Sequence, residues 1–164
     1  MYRIGIGFDA HPFSEDPRPL MLGGVTIPFP VGLEGYSDAD VLTHALMDAL
    51  LGAANLADIG VHFPEGDPAF KDADSLKLLE QVCGLLSERG YRVVNVDCIL
   101  ILEEPRIAAF REQIQGRLAA ALKVSPDRVS VKATTTERMG FTGREEGVAA
   151  QAVALLAREE GVGA

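Results

Sequence analysis

Residues 91–102 constrain the fold of this chain more than any other stretch. Val93, Val94 and Val96 lead into the unbroken apolar run Ile99, Leu100, Ile101 and Leu102. Short runs this rich in β-branched residues read as strands. The run loses its polar alternation near its end, so both faces are covered there. A helix is expected before it, capped by Asp74 and stopped by Gly90. A third helical segment is expected after it, to about Lys123. Ile107, Phe110, Ile114, Leu118 and Leu122 share one face, and Pro105 stands where its first turn could begin.

A second strand is expected at residues 2–8, and it runs directly into Asp9, Ala10 and His11. Residues i and i+2 of a strand project to the same side. Asp9 and His11 therefore place a carboxylate and an imidazole in one small volume. His44 is a third candidate ligand, on a helix whose apolar face is Val41, Leu42, Ala45, Leu46, Ala49 and Leu50. One Asp and two His with a fourth position open suit catalytic zinc. A plain strand-end pair reads the same way. Ser37 or Asp38 can cap this helix. Asp40, His44 and Asp48 fall four apart, so either carboxylate orients the imidazole or all three form a wet face. His62 suits the set less well, since a fourth protein ligand would close the metal to substrate.

The remaining segments are shorter. Gly23 and Gly24 between two apolar runs mark a hairpin. Residues 55–70 form a long irregular connection with Leu56, Ile59, Val61, Phe63 and Phe70, which reads as a substrate-covering loop. Residues 129–134 alternate as a half-buried strand and end in Thr134, Thr135, Thr136 and Glu137. With Lys132, Arg144 and the nearby glycines, these form either a phosphate cradle with a carboxylate for a divalent cation, or a capped polar turn. Residues 147–158 fit a helix by alanine content and a strand by alternation.

The formal net charge of −9 excludes a general nucleic-acid surface. No apolar stretch is long enough to span a bilayer, so no membrane partner is expected. The sequence enters a strand pattern without a leader-like segment, which makes the cytoplasm the default location. At 164 residues, one domain covering 1–164 is expected. Cys83 and Cys98 lie in apolar patterns, as buried free thiols do.

Taken in order, Gly-Phe-Asp-Ala-His, Ser-Asp-Ala-Asp with His four residues on, Asp-Ile-Gly with Phe-Pro, Val-Lys-Ala-Thr-Thr-Thr-Glu and Gly-Phe-Thr-Gly-Arg-x-Glu-Gly span nearly the whole chain. In these motifs it resembles the 2-C-methyl-D-erythritol 2,4-cyclodiphosphate synthase family of the non-mevalonate isoprenoid pathway. The resemblance implies an α+β fold, a four-stranded mixed sheet with helices on one face plus a small β-hairpin. It makes residues 147–158 a strand. It implies a homotrimer with active sites between subunits. It implies Zn²⁺ on Asp9, His11 and His44, and a second divalent cation, Mg²⁺ or Mn²⁺, on Glu137. The implied reaction is attack of the 2-phosphate of 4-diphosphocytidyl-2-C-methyl-D-erythritol 2-phosphate on its own β-phosphorus, giving the cyclic diphosphate and CMP.

By the same match, Asp58, Ile59 and Gly60 would hold the erythritol hydroxyls. Phe63, Pro64, Glu65, Gly66 and Asp67 would line the substrate loop, with Ser37 nearby. Leu102, Glu103, Glu104, Pro105, Arg106, Ile107 and Ala108 would form the cytosine pocket. Thr134, Thr135, Thr136 and Glu137 would meet the diphosphate, Thr135 stabilising the transition state. Phe141 and Arg144 would lie near the subunit interface. Two places depart from the family pattern. Tyr36, carried over with Thr135 as catalytic, stands where the family has a His expected to stabilise the transferring phosphate, with Ala39 in place of the usual Gly. The acids Glu103 and Glu104 stand where small or neutral residues are more usual.

Overall fold

The structure is a computed structural model that describes residues 1–158. In chain order the elements are β1 (Tyr2–Pro12), the hairpin strands β2 (Leu20–Leu22) and β3 (Val25–Ile27), α1 (Val41–Ala54), the single turn α2 (Ile59–His62), α3 (Ser75–Glu88), β4 (Tyr91–Ile101), α4 (Arg111–Leu122), β5 (Val129–Thr134), the single turn α5 (Gly140–Gly143) and β6 (Gly147–Arg158). The main sheet is four-stranded in the order β1-β6-β4-β5, and β2 pairs with β3 in a separate two-stranded sheet. β6 runs antiparallel to β1 and to β4, while β5 runs parallel to β4. The fold is thus the mixed α+β arrangement expected, with the helices on one face.

The alanine-rich final segment is a strand because of where it sits. β6 fills the slot between β1 and β4, so both of its edges pair. Its small side chains Ala150, Ala152 and Ala154 are buried under α1. On the neighbouring strand, a Cβ on Gly5 would strike the carbonyl of Ala49, and one on Gly7 that of Ala45. Small residues in both strands let α1 lie almost directly on the sheet backbone. The hairpin also forms as expected, with Gly23 and Gly24 at φ 58° and 72°, a left-handed pair that suits a two-residue turn.

α1 is buried nearly all round, and only Asp48 and Gly52 escape. This overturns the wet-face alternative, since Asp40 is 0% and His44 7% exposed. The cap is Asp40, not Ser37 or Asp38. Its carboxylate accepts from the amides of Gly23 (2.8 Å), Gly24 (2.6 Å) and Thr43 (3.1 Å) and from the Thr43 hydroxyl (2.8 Å). One buried carboxylate thereby pins the hairpin turn to the helix that carries His44. Burial and nearby Asp38 push the Asp40 carboxyl up, and the Thr43, Gly23 and Gly24 amides pull it back.

α3 starts as the sequence indicates, with the Asp74 carboxylate accepting from the Leu76 amide at 3.0 Å. The helix after β4 starts later than expected. Pro105 lies in a loop, a short 3₁₀ turn covers Ala108–Phe110, and α4 begins at Arg111. Ile107 is buried from that loop rather than from the helix. On the face of the sheet away from the helices, Tyr2, Ile4, Ile6 and Phe8 of β1 are 69%, 72%, 64% and 56% exposed.

Candidate metal and substrate site

Asp9 and His11 project from β1 toward the helix layer, and His44 comes down from the first turn of α1. Asp9 Oδ2 lies 2.9 Å from His11 Nε2 and 3.0 Å from His44 Nδ1, and the two ring nitrogens are 3.2 Å apart. Zinc bonds of about 2.0–2.1 Å set tetrahedral neighbours about 3.3 Å apart. The observed triangle fits a divalent ion with little adjustment, and a fourth position stays open.

Backbone and side-chain partners orient both rings. His11 Nδ1 donates to the Glu34 carbonyl at 2.6 Å, which turns Nε2 toward Asp9. His44 Nε2 is 3.0 Å from Ser75 Oγ and 3.1 Å from Ser37 Oγ. The Ser75 hydroxyl donates in turn to Asp38 Oδ1 at 2.5 Å. With Nε2 held by serine, Nδ1 faces Asp9, where it donates to the carboxylate and would give its lone pair to a metal once that proton is released. Burial opposes ionisation of Asp9, but hydrogen bonds from His11 and His44 outweigh it and hold its carboxyl well below the usual range. For His11 burial also opposes charge, yet the bond to Asp9 raises it above the ordinary imidazole value.

The carboxylates expected to orient His44 from its own helix do something else. Asp40 caps the helix, and Asp48 accepts from the Ile59 amide at 2.8 Å, tying the covering segment to α1. The orienting carboxylate is Asp38, acting through Ser75 from another helix. His62 stands apart from the triad, with Nε2 donating to the Leu56 carbonyl at 2.7 Å.

The triad lines a cavity of about 200 Å³ together with Tyr36, Ser37, Ile59, Gly60, Phe63 and Glu65, over a floor that includes Met47, Phe70 and Leu78. The covering segment is more ordered than a loop: α2 and a 3₁₀ turn at Pro68–Phe70 build it, and the rings of Phe63 and Phe70 meet edge-on at 5.4 Å. Asp58 and Asp67 turn their carboxylates to the amides of Val61 (3.1 Å) and Ala69 (2.9 Å), while Pro64 and Gly66 sit exposed at the rim. The Tyr36 hydroxyl donates to the Asp67 carbonyl at 3.0 Å and so ties this rim to the segment beside the triad. Arg18 holds that segment from behind, donating to the carbonyls of Gly35 (2.9 Å) and Ser37 (2.6 Å). Nothing local in the sequence marks Arg18, Ser75, Met47 or Leu78 for these places.

A second cavity, of about 440 Å³, is lined by residues 102–108 together with Ala133, Thr134, Thr135, Arg138 and Glu145. The expected cytosine loop and the threonine turn therefore share one hollow. In the turn, the Thr135 hydroxyl donates to Glu137 Oε1 at 3.1 Å. Phe141 is 41% exposed, and Arg144 pairs with Glu146 at 2.7 Å. The two cavities lie at the same end of the sheet but on opposite edges. Ala10 pairs with Ala149, Ala149 with Ile101 and Ile101 with Thr134. Three interstrand steps separate the edges, about 14 Å.

The profile of the YgbB family matches residues 2–157. The chain belongs to the YgbB family. A Lysinibacillus sphaericus relative named 2-C-methyl-D-erythritol 2,4-cyclodiphosphate synthase is 56% identical over 159 residues, 97% of this chain and 100% of its own length. Among solved structures, the bifunctional IspDF of Campylobacter jejuni is 42% identical with a TM-score of 0.92. The match covers 96% of this chain and 42% of that one, so this chain spans less than half of the bifunctional protein. The IspF of Plasmodium falciparum in complex with CDP is 30% identical with a TM-score of 0.84, over 97% of each chain. Among the described residues of this YgbB-family chain, no helix is long and apolar enough to cross a membrane.

Proposed function

We infer that this chain converts 4-diphosphocytidyl-2-C-methyl-D-erythritol 2-phosphate to 2-C-methyl-D-erythritol 2,4-cyclodiphosphate and CMP. The observation that carries the reading is the Asp9, His11 and His44 triangle on the wall of a cavity, in a chain matched over 97% of its length by a relative named as such a synthase. The 2-phosphate oxygen forms a bond to the β-phosphorus, and the bond from that phosphorus to the oxygen it shares with the CMP phosphate breaks. CMP leaves with the electron pair, and no protein nucleophile is required.

Zn²⁺ on the triad and Mg²⁺ or Mn²⁺ at Glu137 would supply compensating positive charge for two phosphates brought together. The protein's own share is positioning. Ile59, Gly60, Phe63 and Glu65 wall the erythritol, and Tyr36 holds the rim closed over it. Residues 102–108 would grip the cytosine, largely through backbone groups. Thr135 donates a hydrogen bond to charge that builds on the transferring phosphate. Because the triad and the threonine turn stand on opposite sheet edges, one chain presents two half-sites. This supports a homotrimer in which the β1 edge of one subunit meets the β5 edge of its neighbour, and the exposed Ile4, Ile6 and Phe8 supply apolar surface for that association.

The test is product analysis by ³¹P NMR, with light scattering and a metal assay on the same sample. Cyclic diphosphate and CMP from a trimer with about one zinc per chain are the expected outcome. A linear hydrolysed product would make the triad a water-activating phosphohydrolase site instead, and a monomer would remove the shared site.

A further inference from the structure

Glu103 immediately follows the last shared bond of the β4–β5 edge, where the Leu102 amide donates to the Thr134 carbonyl at 3.0 Å. Its neighbour Glu104 is exposed, but Glu103 is half-buried and turns inward. One oxygen, Oε1, accepts from the amide of Thr136 at 3.1 Å and from the amide of Arg138 at 3.1 Å. The amide between them, Glu137, is taken by Thr135 Oγ1 at 3.3 Å. Glu137 and Arg138 are both left-handed, at φ 54° and 62°. Backbone amides that converge through such a turn form an anion-binding nest. Here the anion is the protein's own carboxylate.

This changes what the turn can do. Its converging amides already have an acceptor, so they are not free to cradle a phosphate. What the turn offers a substrate is its side chains, Thr135 and Glu137, projecting from a backbone that two non-glycine residues hold in a costly conformation. The Thr136 side chain reinforces the same geometry, donating to the Met139 carbonyl at 2.6 Å and lying 3.0 Å from the Thr142 hydroxyl.

We propose that Glu103 is a positioning residue: its carboxylate fills the amide nest at residues 136–138 and thereby fixes Thr135 and Glu137 at the edge of the nucleotide cavity. Glu103 also lines that cavity alongside Pro105 and Arg106. The loop expected to hold the leaving nucleotide and the turn expected to meet the phosphates are therefore joined by one side chain. The kinetic part of this inference rests on the synthase reading above, while the contact itself does not.

The test compares E103D, E103Q and E103A for CMP release and, independently, for amide hydrogen exchange at Thr136 and Arg138. E103D keeps the charge but withdraws the oxygen by one methylene, so kcat should fall about tenfold or more, while KM changes less than about threefold. E103Q keeps an acceptor oxygen in place and should lower kcat less than E103D does. Exchange at both amides should quicken in E103D and E103A and stay near wild type in E103Q. An E103D enzyme with wild-type kcat, or unchanged exchange in E103D and E103A, would overturn the proposal. If the wild-type chain released no CMP, the synthase reading would fail, and the exchange measurement would still decide whether Glu103 holds the turn.

Discussion

Removing the Ser75 hydroxyl perturbs the candidate metal site without touching a ligand. Ser75 Oγ stands between His44 Nε2 (3.0 Å) and Asp38 Oδ1 (2.5 Å), so it passes the influence of a carboxylate to the imidazole. Losing a partner that orients a metal-binding His typically costs about 10- to 100-fold in affinity, or about 1.4–2.8 kcal/mol. The geometry places Ser75→Ala at the low end. Ser37 Oγ remains 3.1 Å from the same nitrogen and can accept its proton. The expected loss is therefore about 10-fold for Ser75→Ala and about 100-fold for the double variant Ser37→Ala/Ser75→Ala. Folding should be disturbed far less. Asp74 still caps α3, and the Ser75 amide still donates to Asp38 Oδ2 at 2.9 Å. The assay is Zn²⁺ affinity by chelator competition, with urea unfolding alongside. His62→Ala, whose imidazole is engaged with Leu56, serves as the control that leaves affinity unchanged. A double variant that binds Zn²⁺ within twofold of wild type would refute the reasoning, because the tautomer of His44 would then need no serine to set it.

Three further outcomes follow from the same geometry. Asp40→Ala leaves several buried donors without an acceptor, each costing about 1–3 kcal/mol, so urea unfolding should show a loss of about 4 kcal/mol or more, and a loss below about 1 kcal/mol would contradict the cap. Thr135→Ala should lower kcat for CMP release by about two to three powers of ten with little change in melting temperature; near-normal kcat would reduce the stretch to a capped turn. Tyr36→Phe removes only the bond to the Asp67 carbonyl, so KM should rise about 2- to 10-fold with kcat nearly kept and faster proteolysis of residues 64–68, whereas a collapse of kcat with unchanged KM would make the hydroxyl a participant in the chemistry.

Local pattern was enough to place several of the decisive groups. Strand alternation put Asp9 and His11 on one side of β1, because the side-chain period of a strand is a property of adjacent peptide units. Helical spacing put His44 on the helix that follows the polar loop, Asp74 at the start of α3, and Gly23 and Gly24 at a hairpin turn. Where two local preferences competed, tertiary structure decided. Residues 147–158 are a strand because β1 and β4 leave a slot with an unpaired edge on each side, and small side chains fit under α1. Asp40, spaced as if to serve His44, instead caps the helix, because folding brings Gly23 and Gly24 against its N-terminus. The bonds that orient the site are longer-range still. Ser75 reaches Asp38 and His44 across 37 and 31 positions, and Glu103 reaches Arg138 across 35. Periodicity reports only on neighbours a few residues apart. Contacts of this kind arise when separate helices and strands pack face to face, so they exist only once the fold is complete.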